Sequence, residues 1–316
     1  MFASYNLIDF GNRLKEIRKN QGISQAQVRD IVGLNEDTLR KIEHGNVLPR
    51  YDTLELMSLV YKEDLLKLLQ SYRVNQTLND LYECTDKIIT AHIPEDLEKI
   101  KEQLVCFKAQ NQSTNMLYNA LEIEQFELFL ASIHIYFEGN IVKRNKAFEY
   151  LQEALNKTLT GFSPFNFKKF KYNFFEIRIL LLLGTVLYDV KQETLSNQIL
   201  EFCLKYLLQN FTLEEKIQKL VIKIYNNLAY NYHLSNQHKK VIQVADDCIA
   251  FSLSHNNLYG LANIYYRKGI SAYRLKSDDY YDLLKKSVLL SEISGNDDLA
   301  LLYRRITFEY YGILIE

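Results

Sequence analysis

Apolar positions recur at helical spacing from the start of the chain. Phe10, Leu14 and Ile17 share one face, and the pattern stops at Gly22, a residue suited to a helix C-terminus. Ser24 offers an N-cap to a short second helix whose apolar face is Val28, Ile31 and Val32. Gly33 follows, where a sharp turn needs positive φ. Asn35 caps a third helix with Leu39 and Ile42 facing inward, and Gly45 ends it. Two short helices about a glycine turn predict a helix-turn-helix. Residues 52–61 and 63–72 read as two further helices that close a small core.

Beyond Tyr72 the pattern changes. Period-two alternation, glycine-rich loops and clear strands are missing, and long amphipathic segments follow one another. They break at HIP (92–94), EGN (138–140), GFSPF (161–165), NFT (210–212), SNQH (235–238), SHNN (254–257), KSDD (276–279) and SGNDD (294–298). Long segments joined by short turns predict stacked helical hairpins. NNLAYNYHLSNQHKKVIQVADDCIAFSLSHNN aligns on NIYYRKGISAYRLKSDDYYDLLKKSVLLSEISGND, with Ala229 over Gly269 at a shift of 40. LLLLGTVLYDVKQETLSNQILEFCLKYL is an earlier copy, with Gly184 at the small position where two helices must cross closely, and FLASIHIYFEGNIVKRNKAFEYLQEAL a weaker one. The count is roughly five pairs, the first at 74–118. The repeats resemble tetratricopeptide repeats with looser spacing than their usual ~34 residues. The expected fold is therefore all-α: a helix-turn-helix domain at 1–72, then a tetratricopeptide-like solenoid at 73–316.

Composition narrows the picture. Three prolines, 11 glycines, 23 tyrosines and 17 phenylalanines in 316 residues suit long helices and short turns. The net charge of −1 provides no global basic field, so a DNA contact must come from local placement of charge. Cys84, Cys106, Cys203 and Cys248 fit no metal spacing and read as reduced, half-buried thiols. The N-terminus lacks the pattern of a signal peptide, and Ile177–Leu187 is too short to span a bilayer, so a cytoplasmic location is expected. Neither HExxH, P-loop nor nucleophile elbow occurs, and no enzyme, cofactor or metal is expected. The pairs Asp246-Asp247, Asp278-Asp279 and Asp297-Asp298 read as helix starts, where acidic residues favour the dipole.

Residues from about Phe10 to Leu69 resemble the Xre/phage-repressor type of helix-turn-helix. The carrying positions are Leu14, Arg18, Gly22, Ser24-Gln25, Gly33, Leu39, Ile42-Glu43-His44-Gly45, Pro49 and Leu54. That resemblance implies an ion pair between Arg18 and Glu43 and a phosphate contact from Gln25. It implies that Asn35, Glu36, Asp37 and Lys41 enter the major groove with Arg40 beside them, and that Arg50 lies along the backbone or towards the minor groove. Two departures stand out: Arg29 replaces a small residue, and Glu36 and Asp37 are acidic on the reading helix.

On the first helices of the repeats, Arg178, then Lys223, Asn226, Asn227 and Tyr230, then Asn263, Tyr266 and Arg267 would face the concavity. Asparagine there can give and accept a hydrogen bond with a peptide main chain. The complete layout resembles the peptide-pheromone regulators of Gram-positive bacteria, the group of Rap, Rgg, NprR, PlcR and PrgX, and is most similar to the PlcR type. YNNLAYNYHLSNQHKKVI and ANIYYRKGISAYRL carry the closest local likeness. The resemblance implies a homodimer on a palindromic operator, controlled by a short re-imported signalling peptide. It places Asn227, Asn263, Arg267 and Tyr303 among the peptide contacts. Two other readings remain open at this point: a repeat scaffold for a protein such as a response regulator, and a phage lysis–lysogeny regulator of the arbitrium type.

Overall fold

The structure is a computed structural model that describes residues 5–72, 74–91, 93–111 and 117–315. Those residues are helical, apart from connecting loops, an isolated bridge at Tyr5 and short 3-10 turns at Pro94–Asp96 and Phe167–Lys169. They form two compact units, residues 1–120 and 121–316. The helical pair at 74–111 belongs to the first unit, so this division lies later than the change of sequence pattern at Tyr72. Residue 92 of the HIP break and residues 112–116 of the first expected pair lie outside the described residues.

In the first unit, α1 (Leu7–Asn20), α2 (Gln25–Val32), α3 (Glu36–Glu43), α4 (Tyr51–Tyr61) and α5 (Leu65–Ser71) enclose one core. Phe10, Leu14, Val28, Leu39, Ile42, Leu54, Met57, Tyr61 and Leu65 are almost completely buried there. Each of these aliphatic, methionine and phenylalanine side chains contributes about 1.5–3 kcal/mol of burial. Ser24 and Gln27 make a reciprocal cap at the start of α2, with bonds of 3.1 and 2.7 Å, and Gly33 adopts φ 72° in the turn. Gly11 permits the crossing of α1 over the end of α3: a Cβ there would lie 2.5 Å from the Ile42 carbonyl oxygen. Ile31 departs from its expected inward position and is 64% exposed, since Val28 alone is fully buried on this two-turn helix. Two further helices, α6 (Val74–Ala91) and α7 (Leu97–Asn111), complete the unit before α8 (Leu117–Phe137) begins.

The second unit stacks α8, α9 (Ile141–Thr158), α10 (Phe174–Asp189), α11 (Glu193–Asn210), α12 (Glu215–Leu234), α13 (His238–Ser254), α14 (Leu261–Arg274), α15 (Tyr280–Ile293) and α16 (Asp297–Tyr311). Each helix packs on its successor from α9 onward. Small residues sit where the pairs cross, as the repeats require. A Cβ on Gly184 would meet Leu200 at 2.9 Å, and one on Gly269 would meet Leu284 at 2.8 Å. Ala229 occupies the corresponding place in α12 and is fully buried.

Two local expectations need correction. The cysteines are not half-buried: Cys84 and Cys106 are exposed, while Cys203 and Cys248 are buried, where desolvation raises their thiols, that of Cys248 to about 12. Asp246 and Asp247 lie inside α13 and not at its start, and Asp246 pairs with Lys268 at 2.6 Å. Asp279 immediately precedes α15, and Asp297 and Asp298 do open α16.

Candidate functional site

Two constellations can engage other molecules. The first is the exposed end of the helix-turn-helix. Arg18 fixes it from within, donating to both carboxylate oxygens of Glu43 at 2.5 and 2.9 Å and to the Ile23 carbonyl at 2.9 Å. The bond to Glu43 outweighs burial and holds the guanidinium pKa above its usual value. Gln25 joins this group, its amide donating to Glu43 at 2.8 Å. Its side chain therefore links the start of α2 to the end of α3.

The exposed face of α3 is occupied by its own charges. Asn35 spends its side-chain oxygen on the Asp37 N–H at 2.8 Å, capping α3. Asp37 accepts from Arg40 and Lys41, both at 2.7 Å, and these partners, Lys41 foremost, lower its pKa. Glu36 accepts from Arg29 at 2.5 Å, and Arg29 also reaches Asp30 at 2.8 Å. The larger Arg29 thus stays at the surface, tying α2 to α3 without disturbing their packing. Asn35, Arg40, Lys41 and Arg50 are exposed, and Arg50 precedes α4 behind the buried Pro49.

The second constellation runs along the first helices of the hairpins. Thr185 on α10 donates to Asn227 on α12 at 3.3 Å, and Asn227 donates to the Lys223 carbonyl at 2.8 Å. Arg267 on α14 donates to Asn226 at 3.3 Å and stands 5.1 Å over the ring of Tyr230. Tyr303 on α16 donates to Asn263 at 2.5 Å and stacks on Tyr266, with centroids 4.0 Å apart and planes 5° apart. Thr307 donates to the Tyr266 hydroxyl at 3.1 Å. The four cross-helix bonds join residues 40 to 42 apart in sequence, so the period of the repeats is also the step between neighbouring first helices. Arg178 lies on α10, buried, with its guanidinium 5.4 Å over Phe174.

Tyr230, Asn263, Tyr266, Arg267 and Tyr303 are thus brought together, Asn227 joins them through its own helix, and Arg178 stands one helix away on α10. Burial raises Tyr266 and Tyr303 to about 12 and lowers Arg267. These groups act as neutral phenols and a cation near neutral pH. They can hold a main chain by hydrogen bonds and an apolar or acidic side chain by ring and charge. Among the described residues, no group of histidine, cysteine and acidic side chains could hold a metal, and no helix is long and apolar enough to cross a membrane. Thr185, Thr307, His233 and Arg274 complete the surroundings and were not singled out from the sequence; the 40-residue offset carries the signal for Thr307, which falls one repeat after Arg267.

The chain combines an N-terminal helix-turn-helix with a run of tetratricopeptide-like hairpins. Residues 9–77 match the helix-turn-helix domain family. Over nearly the whole chain the fold is that of peptide-pheromone receptors. PlcR of Bacillus thuringiensis, solved in complex with the peptide PapR7 and DNA, is 16% identical with a TM-score of 0.68, covering 94% of this chain and 99% of that one. The SHP pheromone receptor Rgg2 of Streptococcus dysgalactiae is 12% identical with a TM-score of 0.57, covering 95% and 99%. ComR of S. thermophilus, solved with DNA and its signalling peptide ComS, is 14% identical with a TM-score of 0.55 over the same shares. No curated protein matches the chain in sequence.

Proposed function

We propose that this chain is a quorum-sensing transcription regulator of the cytoplasm. It binds a palindromic promoter site as a homodimer and is controlled by a short re-imported signalling peptide held against the first helices of its repeats. The observation that carries this reading is the polar and aromatic ladder from Thr185 to Thr307, which lies in the same chain as a helix-turn-helix. Structures of the same fold contain DNA and a signalling peptide together, which supports both partners.

The helix-turn-helix supplies Gln25, Asn35, Glu36, Asp37, Arg40, Lys41 and Arg50 to the duplex. Arg40 and Lys41, held by Asp37, present positive charge at a defined position, and Glu36 can accept from a cytosine amine. Arg178, Asn227, Tyr230, Asn263, Tyr266, Arg267 and Tyr303 receive the peptide. Two reading helices must match the spacing of two half-sites. A peptide that binds one dimer arrangement better than the other shifts that population by its differential affinity.

The test is selection from random duplex DNA with the purified chain, with Arg50→Ala, and with concentrated spent medium added. A palindromic site that weakens in the variant and responds to the medium is expected. If no sequence is enriched even at low salt, where phosphate attraction is strongest, the DNA-binding reading fails and the repeats are a protein scaffold.

A further inference from the structure

Two facing stripes meet at the C-terminal ends of α12 and α14. On α12, Asn226, Tyr230 and His233 are spaced four and three residues apart and share one face. On α14, Arg267, Ser271 and Arg274 have the same spacing. The stripes touch where Arg267 reaches Asn226 and Tyr230. His238, the first residue of α13, closes the far end: its Nδ1 lies 3.3 Å from the Ser271 hydroxyl, and its ring is 5.8 Å from that of His233. Arg274 lies 5.1 Å over Tyr311.

This patch holds two guanidinium groups and two imidazoles without a carboxylate. Neither arginine makes an ion pair among the described residues, and the buried Nδ1 of His233 has no hydrogen-bond partner. Carboxylates on nearby helices are committed elsewhere: Glu193 accepts from Ser235, Glu201 from Tyr232, and Asp246 from Lys268. Burial lowers His233 first, and His238, Arg267 and Arg274 lower it further; burial and Arg274 lower His238. An unmatched, partly desolvated cation cluster favours an anion, and a guanidinium can grip a carboxylate with two parallel bonds.

We infer that Arg267, Arg274, His233 and His238 form a subsite for a carboxylate of the bound peptide, either its C-terminus or an acidic side chain. The inference rests on the peptide-receptor reading and specifies the ligand that reading leaves open. A carboxylate placed here would also favour protonated imidazole, so binding takes up protons and strengthens as pH falls.

Two random heptapeptide pools, one with free and one with amidated C-termini, are to be captured on the full chain. Enrichment of the free-acid pool alone assigns the α-carboxylate; enrichment of Asp or Glu at one position in both pools assigns a side chain. A selected peptide should lose about tenfold or more in affinity when its carboxylate becomes an amide. It should lose no more than about twofold from the same change against Arg267→Gln or Arg274→Gln, because the partner is already gone. A purely structural role for the arginines would leave the amide effect intact in both variants. Affinity should rise between about pH 7.5 and about pH 6. Should Arg267→Gln melt far below the natural chain, Arg274→Gln carries the same comparison. Enrichment without acidic preference, or an amide effect unchanged in the variants, overturns the subsite and leaves the receptor reading standing. No enrichment from either pool overturns the receptor reading and the subsite with it.

Discussion

The buried charges of the two units are handled in opposite ways. In the helix-turn-helix, Arg18 is matched on the spot: Glu43 takes two of its bonds, and the Ile23 carbonyl a third. In the repeats, Arg267 is drawn into a half-buried place where it meets an amide oxygen and a phenol ring and no carboxylate. A matched pair fixes geometry, and here it fixes α3 against α1. An unmatched cation costs desolvation that a ligand can offset, which suits the peptide-sensing role proposed for the repeats.

The sharpest way to break this contrast is to unmatch the matched pair. Glu43→Ala leaves Arg18 buried alone and should cost about 3–5 kcal/mol, whereas Arg18→Met combined with Glu43→Leu should recover most of it. Thermal unfolding of the chain measures both. Next in size is Gly11→Ala, which drives a methyl group against the Ile42 and Glu43 carbonyls. It should cost about 1–3 kcal/mol and weaken DNA binding through the displaced reading helix. Arg267→Met, by contrast, should change stability by less than about 1 kcal/mol, because the lost ring and amide contacts offset relief of an uncompensated charge. A loss as large as that of Glu43→Ala would mean that Arg267 has a structural partner.

Acid should separate the units too. His233 is held below its usual 6.5, so the folded chain binds fewer protons than the unfolded one between the two values. Its contribution is complete above the unfolded pKa and is lost as pH falls through 6.5 towards the folded value. The same sign holds for His238. Melting temperature should therefore fall from about pH 7 to about pH 5.5, less steeply in His233→Asn. The smallest stability effect belongs to Asp37→Asn at the exposed start of α3. It releases Arg40 and Lys41 and should steepen the salt dependence of DNA affinity by about one phosphate contact, while relaxing sequence preference. Binding isotherms at several salt concentrations check this.

Much of the fold was legible because its signals are local. Gly33, Ser24 and Asn35 mark their turn and caps through backbone chemistry that depends on nearest neighbours, and the structure uses each in that role. The hairpins announced themselves by a 40-residue period, which reappears as bonds between residues 40 to 42 apart. The missed features are non-local. Gly11 matters through two carbonyls more than 30 positions away. Asp246 looked like a helix start because acidic pairs often are, and only packing against α14 supplies Lys268. His233 and His238 resemble ordinary turn residues in the sequence. Their common surroundings arise from the close approach of α12, α13 and α14.

In the proposed function, occupancy of the repeat face governs the reading of DNA. The most direct measurement is the affinity of the full chain for its selected operator, with and without a peptide chosen from the random pools, in the natural sequence and in Arg267→Gln. Adding peptide should change the operator affinity of the natural chain by about tenfold or more, with little change in the variant at the same peptide concentration. Equal operator affinity with and without saturating peptide would rule out control by the repeat face.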